Sequence, residues 1–192
     1  KDDELLSAVK AIRERWQKDD SEIPVQDFGT GQSINRKISE LVGKVAVRHK
    51  YGQVLYRMVR QFAPKSILEV GTSLGLSSAY MALAAKDAKV VTLEGSSSLS
   101  LKAQSLHQQL GIGNTTFVSG NFDETLQQVL NQMDRLDFVF FDGNHTKEAT
   151  LNYFLQCLPN AHADTVFIFD DIYWSEGMTE AWEQIKKHEA VK

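Results

Sequence analysis

The alternation of short apolar runs with longer amphipathic stretches after Pro64 constrains the fold of this chain more than any other feature. Each apolar run is predicted to be a strand, and the stretch that follows it has apolar residues at helical spacing. Strands that are apolar along their whole length are covered on both faces of a sheet. We therefore predict an α/β fold with a doubly wound, mostly parallel sheet. Its strands are predicted over 66–70, 89–93, 115–119, 136–141 and 165–169.

The segment before this alternation is predicted to be largely helical. Residues 19–33 are polar and include Pro24, so they are predicted to form a loop. Ser33 is a candidate cap for the helix that follows. The chain is thus divided into an N-terminal helical extension over 1–50 and a ligand-binding domain over 51–192. The spacing of apolar residues predicts helices in or next to the extension over 3–18, 33–42 and 51–62.

Composition disfavours several classes of protein. The 192 residues allow one domain with a core of its own. The net charge of −4 argues against a general binder of nucleic acids or of anionic membrane surfaces. No apolar run approaches the roughly eighteen residues of a membrane-spanning helix. The single cysteine, Cys157, excludes an intramolecular disulfide, fits a cytoplasmic location and is predicted to pack in the core.

The first strand runs directly into a loop with two glycines and an acidic residue, Glu69-Val70-Gly71-Thr72-Ser73-Leu74-Gly75. The glycines allow a tight turn and a close approach of the backbone to a ligand. The N–H groups that begin the next helix point into the same space. A carboxylate here attracts a cation, such as the amino acid end of S-adenosylmethionine, and is unsuited to phosphate. The candidate cofactor-binding residues of this segment are Glu69, Gly71, Thr72, Ser73, Gly75 and Ser77.

Further candidates follow the second and third strands. Glu94 lies 23 residues after Gly71, and an acid about 20 residues after a glycine loop can bind ribose hydroxyls. Gly95 follows it directly. Gly120 and Asn121 end the third strand, where an adenine edge would lie against the Asn121 amide. Because ligands of doubly wound sheets bind beyond the carboxyl ends of the strands, these residues are predicted to share one site.

The chain resembles the class I methyltransferases that use S-adenosylmethionine. The motifs that carry the resemblance are Glu69-Val70-Gly71-Thr72-Ser73-Leu74-Gly75, Thr92-Leu93-Glu94-Gly95 and Phe141-Asp142-Gly143-Asn144-His145, and the resemblance covers about residues 50–190. Within that class the chain looks most like bacterial small-molecule O-methyltransferases with an Asp-Gly-x-His segment. Residues 27–31 also look like the N-terminal part of bacterial members. The resemblance implies a Rossmann-like fold, S-adenosylmethionine as cofactor and transfer of a methyl group to a small hydroxylated substrate.

Acidic residues after the fourth and fifth strands are candidates for the chemistry. Three carboxylates at one rim suit Mg²⁺ or a similar cation. The resemblance to cation-dependent O-methyltransferases implies that Asp142, Asp170 and Asp171 are metal ligands. Asp142 and His145 are the catalytic candidates. His145 lies three residues past Asp142, at the predicted start of the next helix, and is a candidate general base. Other interpretations remain open: Asp142 as a helix cap or a cofactor contact, Asp170 and Asp171 as caps of the last helix, and His145 as a packed histidine.

Three alternative functions remain open on the sequence. The loop matches the Gly-x-Ser-x-Gly motif of serine hydrolases, with Ser73 as nucleophile, but Glu69 and Glu94 have no role in that scheme. A nicotinamide-dependent oxidoreductase is disfavoured because Ser73 replaces the second glycine of the dinucleotide motif. A module that binds S-adenosylmethionine without catalysis fits the same residues.

The end of the chain departs from the pattern of the class. Class I methyltransferases usually have seven strands, the last two forming an antiparallel pair, and this strand pair is absent from the sequence. The open edge of an apolar sheet invites aggregation. We expect that further residues, or a second subunit in a homodimer, cover this edge.

Overall fold

The computed structural model describes residues 2–26 and 33–192. Residues 27–31, which carry the second resemblance, lie outside the described residues. A short 3₁₀ helix, Leu158–Asn160, precedes the last strand. The other elements are α1 Asp2–Trp16, β1 Glu22–Gln26, β2 Ser33–Lys37, α2 Ile38–Lys44, α3 His49–Phe62, β3 Ser66–Val70, α4 Leu76–Ala84, β4 Lys89–Glu94, α5 Ser97–Gln109, β5 Thr115–Ser119, α6 Phe122–Leu130, β6 Phe138–Phe141, α7 Lys147–Cys157, β7 Val166–Phe169 and α8 Glu176–Lys186.

The five predicted strands form one parallel sheet in the order β5-β4-β3-β6-β7. The chain moves outwards from β3 through β4 to β5 and then returns to the other side of β3 with β6. The strand order therefore reverses beside β3, which is where a doubly wound sheet opens a crevice for ligands. The predicted α/β fold is confirmed. The carboxyl ends of β3, β4 and β6 border this crevice.

Apolar side chains cover both faces of the sheet, as the continuous apolar runs predicted. In β6, Phe138 and Phe140 belong to one core cluster, and Val139 and Phe141 belong to the other. Each large apolar side chain that is fully buried contributes roughly 1.5–3 kcal/mol to stability. Cys157 is buried in the second cluster, and its burial raises the pKa of the thiol to about 12, so it is a packing residue.

The N-terminal helices pack on the first of these clusters. Val9 and Trp16 of α1 and Leu41 of α2 share it with Ile67 of β3. No helix in residues 2–26 or 33–192 combines the length and the apolar character that crossing a membrane requires. The division of the chain at residue 50 stays a prediction.

The loop predicted over 19–33 is wrong in part, because residues 22–26 form β1, which pairs with β2 in an antiparallel hairpin. Alternating exposure along β1 explains the strand, since its inner side chains face the body of the protein. Pro24 is tolerated because the hairpin has only two strands. Ser33 begins β2 instead of capping a helix, and Lys37 is the N-cap residue of α2.

Candidate functional site

The turn after β3 needs glycine at two positions. Gly71 has a φ of 105°, and a Cβ there would lie 2.2 Å from the backbone oxygen of Asp142. Gly75 has a φ of 78°, and its Cβ would lie 2.6 Å from the Cβ of Ala103. Any side chain would push β6 or α5 away from the loop. The contacts of the loop with its neighbours therefore explain why both positions need glycine. The close approach of a ligand at Gly75 stays a prediction.

Glu69 lies beneath this loop and is fully buried. Its Oε2 accepts a hydrogen bond of 2.5 Å from the Thr92 hydroxyl, while its Oε1 has no hydrogen-bond partner among the described residues. Burial raises the pKa of Glu69 to about 7, against the opposing effect of the hydroxyls of Ser77, Thr92 and Ser78. A buried carboxyl group surrounded only by neutral donors lacks the cation that would compensate its charge.

Glu94 connects the loop to the end of β4. Its Oε2 accepts from the backbone N–H of Ser73 at 2.7 Å, and its Oε1 accepts from the N–H of Ser96 at 2.9 Å. Burial raises the pKa of Glu94, although these backbone donors oppose the shift. The backbone N–H groups of Thr72 and Gly95 also oppose the rise in the pKa of Glu94. Ser73 is held with a φ of 48°, and its buried Oγ has no hydrogen-bond partner among the described residues.

A cleft of about 730 Å³ opens beside Glu94. Asn121 lies in this cleft, and its Oδ1 caps α6 by accepting from Asp123, which leaves the side-chain amide N–H groups for a ligand. Gly120 has a φ of 145°, so the chain turns sharply before Asn121. The cleft is lined by Val25, Gln26, Ile34, Arg36, Val45, Glu94, Gly95, Asn121, Phe122, Asp123, Asn144, His145 and Tyr153. The hairpin thus supplies one wall, which the sequence did not predict.

His145 lies between two carboxylates. Its Nε2 is 3.7 Å from Oδ1 of Asp142 and 3.8 Å from Oδ2 of Asp171. Burial raises the pKa of Asp142 well above its ordinary value, and the charges of Asp170, Glu69 and Asp171 raise it further. The structure therefore brings His145 and Asp142 together at the end of β6.

The structure decides against the capping interpretations of the aspartates. Thr146 is the N-cap residue of α7, and Ser175 is the N-cap residue of α8. Asp142, Asp170 and Asp171 are therefore free of that structural role. Their positions at the strand ends need another explanation.

The metal prediction lacks support in the arrangement of these side chains. Across residues 2–26 and 33–192, no three or more His, Cys, Asp or Glu side chains are grouped so as to hold a metal ion. Oδ1 of Asp170 accepts from the N–H of Asp171, and Asp171 is exposed. Neither residue lines the cleft that contains His145. Metal binding by Asp142, Asp170 and Asp171 stays a prediction.

Two features of the site were missed from the sequence. Thr92 donates to Glu69, and His107 Nε2 lies 3.1 Å from the Ser78 hydroxyl and 3.2 Å from the carbonyl oxygen of Gly75. Burial lowers the pKa of His107 to about 4, so the ring is neutral. The signals for Thr92 were its place inside an apolar strand and its position in the motif Thr92-Leu93-Glu94-Gly95. The signal for His107 was the helical spacing that places it on the buried face of α5.

The serine hydrolase alternative lacks its base. A nucleophilic Ser73 needs a histidine at hydrogen-bond distance from its Oγ. No described residue makes that contact, and His107 contacts Ser78 instead.

Comparisons with known proteins show the family and the fold of this chain. A family model described as a methyltransferase domain matches residues 68–172, more than half of the chain. No curated protein matches the sequence. Among solved structures, an O-methyltransferase from Bacillus cereus in complex with SAH is 22% identical, with a TM-score of 0.70 over 97% of this chain and 80% of that one.

Two other solved structures are similar. The O-methyltransferase TomG from Streptomyces achromogenes, in complex with SAM, is 23% identical with a TM-score of 0.66, over 75% of this chain and 71% of that one. The SAH-bound methyltransferase PaMTH1 from Podospora anserina is 18% identical with a TM-score of 0.67, over 94% of this chain and 86% of that one. These likenesses establish the fold. The family match runs from within β3 to just past β7 and includes the loop, Glu94 and Asp142, and the chain therefore belongs to the methyltransferase domain family.

Proposed function

We propose that this chain transfers the methyl group of S-adenosylmethionine to a hydroxyl oxygen of a small molecule. The observation that carries the proposal is the meeting of three acids, Glu69, Glu94 and Asp142, at the ends of adjacent strands. No lysine or arginine of the described chain forms an ion pair with any of them. Such a site favours a cationic ligand with hydroxyl groups.

The residues present fit S-adenosylmethionine. The buried Oε1 of Glu69 and Oγ of Ser73 lack hydrogen-bond partners among the described residues, so polar atoms of a ligand would satisfy them. Gly71 and Gly75 let the loop pack closely against its neighbours, Gly95 borders the cleft, and Thr72 and Ser77 are buried. Glu94 would hold the ribose hydroxyls, and the Asn121 amide would meet the adenine. The Bacillus and Streptomyces relatives carry SAH and SAM, which supports the same cofactor here.

His145 is the candidate general base. When bound, S-adenosylmethionine supplies a methyl group activated by a positively charged sulfur. His145 would take the acceptor hydroxyl proton at Nε2, which lies 3.7 Å from Oδ1 of Asp142 and 3.8 Å from Oδ2 of Asp171. Loss of that proton would make the acceptor oxygen a stronger nucleophile towards the methyl carbon, and His145 would hold the proton while the product forms. The neighbours named as O-methyltransferases support oxygen as the accepting atom.

Titration calorimetry with S-adenosylmethionine tests the cofactor assignment. We expect wild-type protein to bind it and Glu94→Ala to bind it more than tenfold more weakly, because a charged acceptor of about two hydrogen bonds is lost. Glu124→Ala, an exposed acid on α6, is the matched control. Unchanged affinity in Glu94→Ala would refute the ribose role.

A methyl-transfer assay over hydroxylated compounds separates an enzyme from a non-catalytic binding module. Binding without transfer to any acceptor would favour the module. The same assay decides the metal question, since loss of transfer with a chelator and its return with Mg²⁺ would support the ligand set Asp142, Asp170 and Asp171. Transfer that persists with the chelator would leave His145 and positioning to account for the rate.

We also propose a cytoplasmic homodimer. The single buried Cys157 suits a reducing compartment, and β7 pairs on only one side among the described strands. Light scattering after gel filtration tests the dimer, and a monomer at micromolar concentration would refute it.

A further inference from the structure

Thr92 occupies a position in the sheet that makes its side chain part of the cofactor site. It lies in the middle of β4, directly opposite Glu69 of β3 in the register of the sheet. Its side chain is fully buried. A threonine hydroxyl in the interior of a parallel sheet needs a hydrogen-bond partner, and this one has two oxygen neighbours within 2.5 Å, Glu69 Oε2 and Thr72 Oγ1.

The hydrogen atoms can be assigned from the acceptors. An ionised carboxylate only accepts, so the Thr92 hydroxyl donates to Glu69 Oε2. Thr72 Oγ1 lies 3.0 Å from the carbonyl oxygen of Leu93 and donates there or to Thr92. Thr92 is therefore fixed between a carboxylate and a second hydroxyl. Oε1 is left as the oxygen of Glu69 without a partner among the described residues.

We propose that Thr92 is a positioning residue for cofactor binding, whose hydroxyl holds the Glu69 carboxylate in the orientation and the ionised form that attract the cationic amino acid end of S-adenosylmethionine. This inference rests on the proposed function. Its physical basis is that a buried carboxylate is expensive to ionise and that each hydrogen bond to the charged form lowers this cost. No basic side chain of the described chain forms an ion pair with Glu69, so hydroxyl donors have to do this alone.

Two substitutions separate the hydroxyl from the packing of Thr92. Thr92→Val keeps the shape and removes the hydroxyl, whereas Thr92→Ser keeps the hydroxyl and removes a buried methyl group. We expect Thr92→Val to bind S-adenosylhomocysteine about tenfold more weakly or worse, and Thr92→Ser to stay within about threefold of wild type. A role in packing alone predicts the reverse order. Calorimetry gives the affinities, and thermal unfolding confirms that both variants are folded.

A truncated ligand shows which part of the cofactor the Thr92 hydroxyl helps to bind. 5′-Deoxy-5′-methylthioadenosine has the adenosine and the thioether of the cofactor and lacks its amino acid end. We expect its affinity to be the same for wild type, Thr92→Val and Thr92→Ser, because the part that Glu69 attracts is missing. Thr150→Val is the matched control for loss of a buried hydroxyl, since Thr150 contacts Met178 on the α7–α8 side of the protein and should leave both affinities unchanged.

A double-mutant cycle with Glu69→Gln gives the decisive readout. In the Glu69→Gln background, Thr92→Val should cause no further loss of affinity for S-adenosylhomocysteine. A further loss of tenfold there, equal weakening of both ligands, or Thr92→Ser weaker than Thr92→Val would each overturn the positioning role. If wild-type protein fails to bind S-adenosylhomocysteine, the proposed function itself falls. If wild type and Thr92→Val bind it equally well, only this inference falls.

Discussion

Two groups of acidic residues lie at opposite ends of the same sheet, and their surroundings differ in kind. At the amino-terminal end of β6, Asp137 accepts from the backbone N–H groups of Lys65 and Ser66, from Arg135 Nε and from His162 Nε2, at 2.7–3.0 Å. Burial alone would raise the pKa of Asp137, yet these four donors hold it well below its ordinary value. This acid ties β3 and β6 together and belongs to the stability of the fold.

The acids at the carboxyl-terminal end have the opposite character. Glu69, Glu94 and Asp142 all have raised pKa values, with burial as the largest cause. They also repel one another across neighbouring strands. The comparison teaches that a carboxylate paired with cations and backbone donors of the chain serves the fold, whereas a buried carboxylate without a compensating cation is a candidate for ligand binding.

The comparison predicts that Asp137→Ala lowers stability and leaves binding unchanged. Removing the acceptor leaves the N–H groups of Lys65 and Ser66 without their partner, and the free energy of unfolding should fall by about 3 kcal/mol. Urea unfolding measures the loss, and calorimetry should give a wild-type affinity for S-adenosylmethionine. A stable variant with weakened binding would contradict the distinction between the two ends.

Glu69→Gln is expected to weaken cofactor binding and to leave the stability of the fold intact. The amide is almost the same size as the carboxyl group but carries no charge, so affinity for S-adenosylmethionine should fall about a hundredfold. The free energy of unfolding at neutral pH should be unchanged or higher, because an uncompensated buried charge is removed. Calorimetry and urea unfolding of the same preparation test both halves. A destabilised variant with normal affinity would show that Glu69 serves the fold.

The pH dependence of unfolding should separate the two ends as well. The pKa of Glu69 is raised from 4.5 to about 7 in the folded state, so between pH 5 and 7 the folded protein holds a proton that the unfolded chain has lost. Stability of wild type should therefore fall by about 2 kcal/mol relative to Glu69→Gln as the pH rises through this window. Glu94 and Asp142 are present in both proteins, so the difference between the two curves reports the titration of Glu69 together with its charge coupling to these two acids. The prediction would be contradicted if the free energies of unfolding of wild type and Glu69→Gln changed in parallel with pH.

At acidic pH, we expect Asp137 to contribute most to the change of stability with pH. Its pKa is lowered by folding, so its contribution is fully present above about pH 4 and is lost as the pH falls below that value. The stability difference between wild type and Asp137→Ala should shrink on acidification. Urea unfolding at several pH values between about 2 and 5 measures it.

The smallest effect concerns His162. Its Nε2 lies 3.0 Å from Oδ1 of Asp137, and it is one of four donors to that carboxylate. His162→Phe should lower the free energy of unfolding by about 1 kcal/mol, because the other three donors remain. Combined with Asp137→Ala it should add little, since the partner is already gone. Additive losses would show that His162 acts on something other than Asp137.

The local signals of the sequence predicted the sheet closely. The predicted bounds of β3 and β5 agree with the structure, and the apolar run of β6 was placed correctly although the strand begins at Phe138. The hairpin was missed because Pro24 and a polar composition are typical of loops, and because its pairing partner lies several residues away. Within the candidate site, the sequence predicted which residues follow each strand, one strand at a time. The 3.7 Å approach of His145 to Asp142 could not be predicted, since it depends on the side chains and the turn between them.

The sequence by itself determined which residues end the strands and where the chain must turn, because apolar runs and glycines act through local geometry. Only the tertiary structure decided which side chains meet: Thr92 with Glu69, His107 with Ser78, and the hairpin with the wall of the cleft. Those contacts join residues far apart in the chain. Their energies depend on burial and distance, which no local pattern contains.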